Sequence, residues 1–334
     1  MKDKSSKFRK GSFVKQGMVI IMKKPIIFIV LISLITLCFS GCNGNISVDS
    51  KVEGGKLSIV STIFPPYDFT RQICSGNVDI TMLLPPGAES HVYEPSAQDI
   101  IKIQNCDLFI CVGGISDSWA DKLLASMDRP VKTIKIMDCV NALAEELVPG
   151  MEEEESDDEE YDEHVWTYPK NAIKITESIS KAVCEIDAKN AERYEANTRT
   201  YVEKLEKLDK DFIDFFSTVN NKTIIFGDRF PFRYFTLGYG LTYYAAFPGC
   251  SSKSEPSAAT IAFLIDKVRA ENISTVFHIE FSNHQIADSI AEATNTKTAL
   301  LHTCHNVSKT DLANGATYLS LMEQNLNTLK KSMN

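Results

Sequence analysis

Short apolar runs with strand character alternate with amphipathic helical patterns along most of this chain, and this alternation limits the folds it can adopt. The strand-like runs of the first half are residues 57–61, 78–84, 108–112 and 131–137. Helical patterns separate them at residues 67–74, 95–105 and 119–127. Helices placed between successive strands are typical of parallel sheets. The first half therefore predicts a doubly wound α/β unit.

The strand signal stops between residues 169 and 219. There, apolar residues recur at spacings of 4, 3, 4 and 3, as one stripe on a long helix: Tyr201, Leu205, Leu208, Phe212 and Phe215. The alternation then resumes, with strands at 223–226, 242–245, 275–279 and 298–301 and helices at 258–270, 285–293 and 315–329. We expect two α/β lobes, each a parallel-type sheet with flanking helices, joined by a long rigid helix.

The N-terminus is predicted to be a signal peptide of the lipoprotein type, residues 1–41. Lys23 and Lys24 precede an apolar run of 15 residues, which is shorter than the ~20 residues needed to cross a bilayer. Small residues stand directly before Cys42, as in a bacterial lipobox, so we expect lipidation at Cys42. Residues 42–55 are predicted to be a flexible tether.

The charge of the chain is localised and excludes one class of partner. The net charge is −9, and residues 152–163 alone hold ten acidic side chains. Nucleic-acid binding needs a basic face, so it is not expected. The predicted organisation is an N-terminal lobe at 56–168 with an acidic loop at 151–163, a linking helical region at 169–219 and a C-terminal lobe at 220–334. The acidic loop either captures cations loosely or is a solvated loop without a role.

Seven of the nine cysteines lie beyond the predicted lipidation site. No Cys-x-x-Cys pair occurs, which argues against a zinc site of four thiolates. An extracytoplasmic location permits disulfides. Cys250 and Cys304 lie in polar loop segments and are the candidate pair for a bridge.

Three of the six histidines, His91, His164 and His305, sit in loop-like segments. His91 and His305 follow predicted strands, as does Asp228. In open α/β sheets ligands bind at the carboxyl ends of the strands, and imidazole is a common zinc ligand. These side chains are therefore candidate metal ligands. Each taken alone also fits an ordinary polar loop residue.

Several segments resemble one family, the substrate-binding lipoproteins of zinc and manganese ABC importers (cluster A-I). They are Ser61–Pro65 with Tyr67 and Asp68, Leu84–Ser96, Asp107–Phe109, His164–Asn171 and Tyr318–Leu329. The resemblance covers residues 57–334. It implies a receptor on the outer face of the cell membrane, anchored by lipidated Cys42, which delivers Zn²⁺ to an ABC permease and its ATPase. It also implies a monomer without enzymatic activity.

The resemblance implies a ligand set as well. His91 and His164 match the two family ligands of the N-terminal lobe. The third family ligand, histidine or glutamate, opens a segment of the form His/Glu-x-x-aromatic-x-Tyr-Phe. The equivalent stretch, 226–235, has no histidine and is interpreted as carrying about two extra residues, so Asp228 is the expected ligand.

The fourth family ligand lies about 13 residues before the tyrosine of the last helix. Counting back from Tyr318 reaches His305, and His302 is held in reserve. Glu280, which closes a predicted strand, either orients a ligand imidazole by accepting a hydrogen bond or is a solvated strand end. His278 and His284 are expected to take no part in metal binding.

Three imidazoles and one carboxylate favour zinc over manganese, because manganese prefers oxygen ligands. A manganese receptor is nevertheless the first alternative. A zinc hydrolase would need an open coordination position and a nearby general base. The chain contains no His-Glu-x-x-His motif. A surface adhesin is the third alternative, and nothing in the sequence specifically favours it.

Overall fold

A computed structural model of the chain describes residues 56–90, 92–151, 160–250 and 255–333. The predicted signal peptide and tether, Cys42 and His91 lie outside the described residues, as does most of the acidic run. The described residues belong to one compact unit. No helix within them is long and apolar enough to cross a membrane.

The first half folds as predicted into a parallel sheet. Its strands are β1 (Leu57–Ser61), β2 (Val78–Met82), β3 (Leu108–Cys111) and β4 (Thr133–Lys135), in the order β2-β1-β3-β4. The helices between them are α1 (Phe64–Cys74), α2 (Ala97–Asn105) and α3 (Ser118–Ala125). Helix α2 begins two residues later than its proline suggested, because Ser96 caps it in a capping box with Asp99.

The last third forms a second parallel sheet with the same pattern of connections. Its strands are β5 (Thr223–Phe230), β6 (Thr242–Pro248), β7 (Thr275–His278) and β8 (Lys297–Leu300), in the order β6-β5-β7-β8. Its helices are α6 (Arg233–Tyr239), α7 (Ala258–Ala270), α8 (Gln285–Thr294), α9 (Lys309–Ala313) and α10 (Tyr318–Ser332). The numbers α4 and α5 belong to the two helices that precede this sheet in the chain, which are described next.

The region between the sheets consists of two helices, α4 (Pro169–Ile186) and α5 (Ala191–Thr218), which pack against each other. Proline opens α4, where its missing N–H is harmless. The predicted apolar stripe lies on the 28-residue helix α5, and all five of its residues are buried. Burial of this stripe joins the linking region to the main hydrophobic core, which also takes in both sheets.

The strand order gives each sheet one topological switch point. In each sheet the chain pairs the second strand on one side of the first and then crosses to pair the third strand on the other side. Loops diverge at such a point and leave a crevice beside the carboxyl ends of the strands. Loops carrying Glu89, Glu280 and His305 reach a shared cleft in this way, together with Arg229 near the end of β5.

Candidate metal centre

His164 and His305 face each other across a cleft between the two sheets. Their ring centroids are 5.6 Å apart and the ring planes meet at 83°. His164 precedes the linking helices, whereas His305 follows β8, so the two imidazoles come from distant parts of the chain. Both side chains are at least nine-tenths buried. The structure thus brings together two of the predicted ligands.

The Asp162 carboxylate holds the His164 ring. His164 Nδ1 lies 3.1 Å from Asp162 Oδ1, and the same oxygen accepts the His164 backbone N–H at 2.7 Å. Burial acts to lower the pKa of His164, but the charge and hydrogen bond of Asp162 outweigh it and the pKa is raised. The contact assigns the proton to Nδ1 and the lone pair to Nε2, through which a metal would bind.

The segment around His305 is fixed from three sides. Its ring nitrogen Nδ1 lies 3.2 Å from the Ser90 hydroxyl, and its carbonyl accepts the Phe64 N–H at 3.2 Å. The indole of Trp166 lies edge-on to the His305 ring at 4.9 Å and donates to the Thr303 carbonyl at 2.9 Å. The loop after β8 is therefore tied to the first sheet and to the start of the linking region.

Glu280 follows β7 and lines the same cleft as His164 and His305. Its carboxylate accepts the Thr303 N–H at 2.8 Å and the Thr303 hydroxyl. Burial acts to raise the pKa of Glu280, but His302 and these hydrogen bonds outweigh it and lower the pKa. Glu280 is therefore held as a buried, ionised carboxylate at the cleft.

His302, the reserve ligand, turns away from this cleft. Its backbone N–H donates to Asn325 Oδ1 at 2.7 Å, and its backbone carbonyl accepts from Asn325 Nδ2 at 2.7 Å. The side chain lines a separate cavity between β8 and α10. Its Nδ1 lies 3.2 Å from Oε1 of Glu280, so Glu280 contacts the imidazole of the reserve ligand.

The structure does not bring Asp228 together with the two facing histidines. Its carboxylate accepts the N–H of Arg229 at 2.8 Å and of Ile279 at 3.3 Å, and it lines a neighbouring cleft. Strand β5 runs on to Phe230, four residues beyond its predicted end, with a break in register between Phe226 and Arg229. Such a bulge re-aims the side chains that follow it.

Arg229 is the cleft residue that the sequence reasoning missed. It lines the cleft of His164 and His305, and its guanidinium pairs with Glu89 at 3.1 Å. The signal was present in the sequence, since Phe232, Tyr234 and Phe235 fit the family pattern without any insertion. That alignment places Arg229 where the family pattern has histidine or glutamate. A permanent cation thus replaces one expected ligand.

The suggested bridge between Cys250 and Cys304 is absent from the structure, where both are free thiols. Cys304 is fully buried, and burial followed by the charges of Glu280 and Asp68 raises its pKa. Cys250 lies instead beside the carboxylates of Asp162 and Glu145. The two sulfurs therefore belong to different neighbourhoods.

Within residues 56–90, 92–151, 160–250 and 255–333, no group of three histidine, cysteine, aspartate or glutamate side chains is arranged to hold a metal ion. The described cleft supplies two facing imidazoles and two carboxylates, Glu280 and Glu89, and Glu89 is paired with Arg229. A complete site therefore needs a further ligand. His91, which directly follows the Ser90 that contacts His305, lies outside the described residues.

Residues 59–332 match the protein family described as zinc-uptake complex component A, periplasmic. The chain belongs to this family. The zinc-binding lipoprotein AdcA of Streptococcus pneumoniae strain R6 is 34% identical over 320 residues, which are 93% of this chain and 61% of that protein. The high-affinity zinc uptake system protein ZnuA of Bacillus subtilis strain 168 is 32% identical over 86% of this chain and 90% of its own length.

Two solved structures of family members share the fold. The Zn(II)-bound ZnuA-like domain of Streptococcus pneumoniae AdcA has a TM-score of 0.70 at 33% identity, and the match covers 84% of this chain and 99% of that domain. The metal-dependent lipoprotein YcdH of Bacillus subtilis has a TM-score of 0.72 at 30% identity, over 84% and 100% of the two chains. The two-lobed α/β prediction is confirmed. This chain spans about three-fifths of full-length AdcA.

Proposed function

We propose that this protein is an extracytoplasmic receptor that binds Zn²⁺ and delivers it to an ABC permease driven by its ATPase. The observation that carries the proposal is the pair of buried imidazoles, His164 and His305, which face each other across the cleft at 5.6 Å. Membership of the zinc-uptake family supports it. So does the zinc bound in the AdcA domain of similar fold.

The proposed ligands are His91, His164 and His305 with one carboxylate. We assign the carboxylate to Glu280, because it lines the cleft of the two histidines. Asp228 is the competing assignment from the sequence, and it would have to leave its two N–H donors and its own cleft to reach the metal. To bind the metal, Glu280 would exchange its hydrogen bonds from Thr303 and its contact with His302, but it would stay in the same cleft.

This ligand set favours zinc over manganese, because nitrogen-rich sites of four ligands suit zinc. It also suits binding rather than catalysis. A hydrolytic zinc site keeps one position for water beside a general base. The candidate base, Glu89, is occupied by its ion pair with Arg229. We therefore propose a receptor without enzymatic activity.

The proposed location is the outer face of the cell membrane. A lipid on Cys42 would anchor the protein there, and residues 42–55 would tether lobes at 56–168 and 220–334, joined by residues 169–219. The periplasmic description of the family and the lipoprotein name of AdcA support this arrangement. We propose that the protein is a monomer. Globomycin, which blocks lipoprotein processing, should make the precursor accumulate if Cys42 is lipidated.

The deciding experiment measures zinc content and zinc affinity by competition with a chromogenic chelator. The wild type should bind one Zn²⁺ tightly and bind Mn²⁺ much more weakly. His91→Ala, His164→Ala and His305→Ala should each lower zinc affinity by on the order of 100-fold or more, since each removes a direct ligand. His284→Ala, which removes a half-exposed histidine outside this cleft, is the matched control and should keep wild-type affinity at this site.

The same titration separates the two carboxylates. Glu280→Gln should lower zinc affinity by on the order of tenfold or more, whereas Asp228→Asn should change it little. The reverse result would move the fourth ligand to Asp228. Wild-type zinc affinity in both His164→Ala and His305→Ala would overturn the proposed site. Normal growth of a deletion strain under zinc chelation would contradict the proposed role in uptake.

A further inference from the structure

A second pair of imidazoles, which the proposed receptor site does not use, lies outside the cleft of His164 and His305. His278 ends β7 and His284 directly precedes α8. Their ring centroids are 4.8 Å apart, with 38° between the ring planes. The His284 side chain is about half exposed, so solvent ions reach it directly.

In both histidines the Nδ1 atom lies beside an oxygen acceptor, which fixes the orientation of the ring. His284 Nδ1 lies 3.2 Å from Asp288 Oδ2, one turn further along α8. His278 Nδ1 lies 3.3 Å from the Ile279 carbonyl oxygen. Both contacts favour the tautomer with the proton on Nδ1 and the lone pair on Nε2. A carboxylate or a carbonyl on the far nitrogen is the usual support of a metal-binding imidazole.

The separation of the rings fits one shared ion. A zinc–nitrogen bond of about 2.1 Å puts each ring centroid roughly 3.2 Å from the metal, so centroids 4.8 Å apart correspond to an N–Zn–N angle of roughly 100°. This angle is close to the tetrahedral value. Because the described residues supply two protein ligands here, water would fill the other positions and binding would be weaker than in a site of four protein ligands.

The surroundings favour a cation at this place. His284 lines the neighbouring cleft together with Asp228 and Glu89. Glu89 and its partner Arg229 line this outer cleft and also the inner cleft of His164 and His305. His278 and His284 therefore lie beside a cleft that shares one ion pair, Glu89 with Arg229, with the cleft of His164 and His305.

We propose that His278 and His284 form a second, weaker zinc site, in which their Nε2 atoms bind the ion, water completes its coordination, and Asp288 orients His284. The proposal goes beyond the receptor site and does not depend on it, because the two sites share no ligand.

Calorimetric titration of Zn²⁺ into the full-length protein tests this. The wild type should show two binding events, the second weaker by on the order of 100-fold. His278→Ala and His284→Ala should each abolish the second event and keep the first. Asp288→Asn should weaken the second event by on the order of tenfold, because the support of His284 loses its charge. Glu292→Gln, which removes an exposed charge one turn beyond Asp288 on α8, is the control and should retain both events.

The inner-site variant His305→Ala separates the two hypotheses, since it should lose the first event and keep the second. Histidine-selective NMR on the same samples adds a readout that does not depend on heat: the Nε2 resonances of His278 and His284 should shift in the second half of the titration. A single binding event in the wild type would overturn the second site. So would a second event that survives in the His278→Ala, His284→Ala double variant.

Discussion

Arg229 and Glu89 join the two sheets at the edge of the metal cleft, with Nη2 of the guanidinium 3.1 Å from Oε2 of the carboxylate. Glu89 lies in the loop after β2, and Arg229 lies in β5. The Arg229 side chain is 19% exposed, so its charge is only partly screened by water. A fixed positive charge is thus placed in a cleft proposed to bind a divalent cation, with one carboxylate to balance it.

Removing the positive charge should raise zinc affinity. Arg229→Met should tighten binding by on the order of tenfold (~1.4 kcal/mol), because it relieves repulsion and releases Glu89. Glu89→Gln should weaken binding by a similar factor, since it leaves the guanidinium unbalanced. Arg229→Lys keeps the charge and should stay near wild type. Chelator competition at low and moderate salt measures all three.

The double variant Glu89→Gln, Arg229→Met completes the cycle and should return close to wild-type affinity, because both charges are gone. If Arg229→Met bound zinc more weakly than the wild type, the guanidinium would be supporting the site instead of opposing the metal. The electrostatic interpretation of Arg229 would then be wrong.

The Asp162–His164 contact should set the pH dependence of zinc binding. A metal needs the neutral imidazole, so affinity falls as pH drops through the pKa of His164. Because Asp162 helps raise that pKa, the wild type should begin to lose affinity at a higher pH than an ordinary histidine would predict. Asp162→Asn should move this loss to lower pH. At pH 8 it should also weaken binding by on the order of tenfold, because the imidazole becomes less basic.

Zinc competition titrations between pH 5 and 8 measure this shift, with the exposed Asp138→Asn as control. Coincident pH profiles for the wild type and Asp162→Asn would show that Asp162 has no electrostatic influence on the ligand.

Both parallel sheets and the apolar stripe of α5 were predictable, because hydrophobic periodicity is a local property of the chain. His164 and His305 were predicted as ligands from the resemblance to the family, and the structure brings their rings to 5.6 Å from each other. The place of Arg229 could have been found from the family pattern, whereas the turn of Asp228 into the neighbouring cleft could not, because it follows a bulge in β5. A bulge changes which side of a strand faces the cleft without changing the hydrophobic pattern of the sequence.

The contacts of Glu280 could not be predicted from the sequence either. Its place after β7 was visible in the sequence, but its partners Thr303 and His302 come from the loop after β8 and were not. The predicted Cys250–Cys304 bridge was wrong for a related reason. Polar neighbours in sequence suggested exposed loops for both thiols, whereas tertiary packing buries Cys304 completely.

Asp117 should make the metal-free protein less stable as pH rises. Burial raises the pKa of this carboxyl to about 6 from 3.8, while hydrogen bonds from Val112 and Thr62 act in the opposite direction. Between these values the folded state binds more protons than the unfolded state, so the contribution of Asp117 to the free energy of unfolding falls with rising pH and levels off above 6. The total is on the order of 2–3 kcal/mol.

Urea unfolding of the wild type and Asp117→Asn at pH 4, 5, 6 and 7 tests this, since asparagine keeps the shape and an acceptor oxygen but cannot ionise. The free energy of unfolding of Asp117→Asn relative to that of the wild type should increase as pH rises, with most of the change below pH 6.5. Parallel stability profiles would contradict a raised pKa for Asp117.

Trp166 should report zinc binding by its fluorescence. Its indole lies 4.9 Å from the His305 ring and 5.5 Å from the His164 ring. At pH 6 the raised pKa of His164 keeps a large share of this imidazole protonated in the metal-free protein, and a protonated imidazole quenches a neighbouring indole. Zinc displaces the proton and, as a d¹⁰ ion, has no redox chemistry with which to quench the ring. Emission should therefore rise on addition of Zn²⁺.

The chain has two tryptophans, which makes the assignment direct. Trp119 packs against Tyr93 and Phe109, away from the two histidines. Trp119→Phe should retain the zinc-dependent rise and Trp166→Phe should lose it. At pH 9 the rise should be smaller than at pH 6, because a larger share of His164 is neutral before zinc is added. A rise of equal size at both pH values would show that zinc acts on Trp166 by moving the loop of His305 and not by displacing a proton.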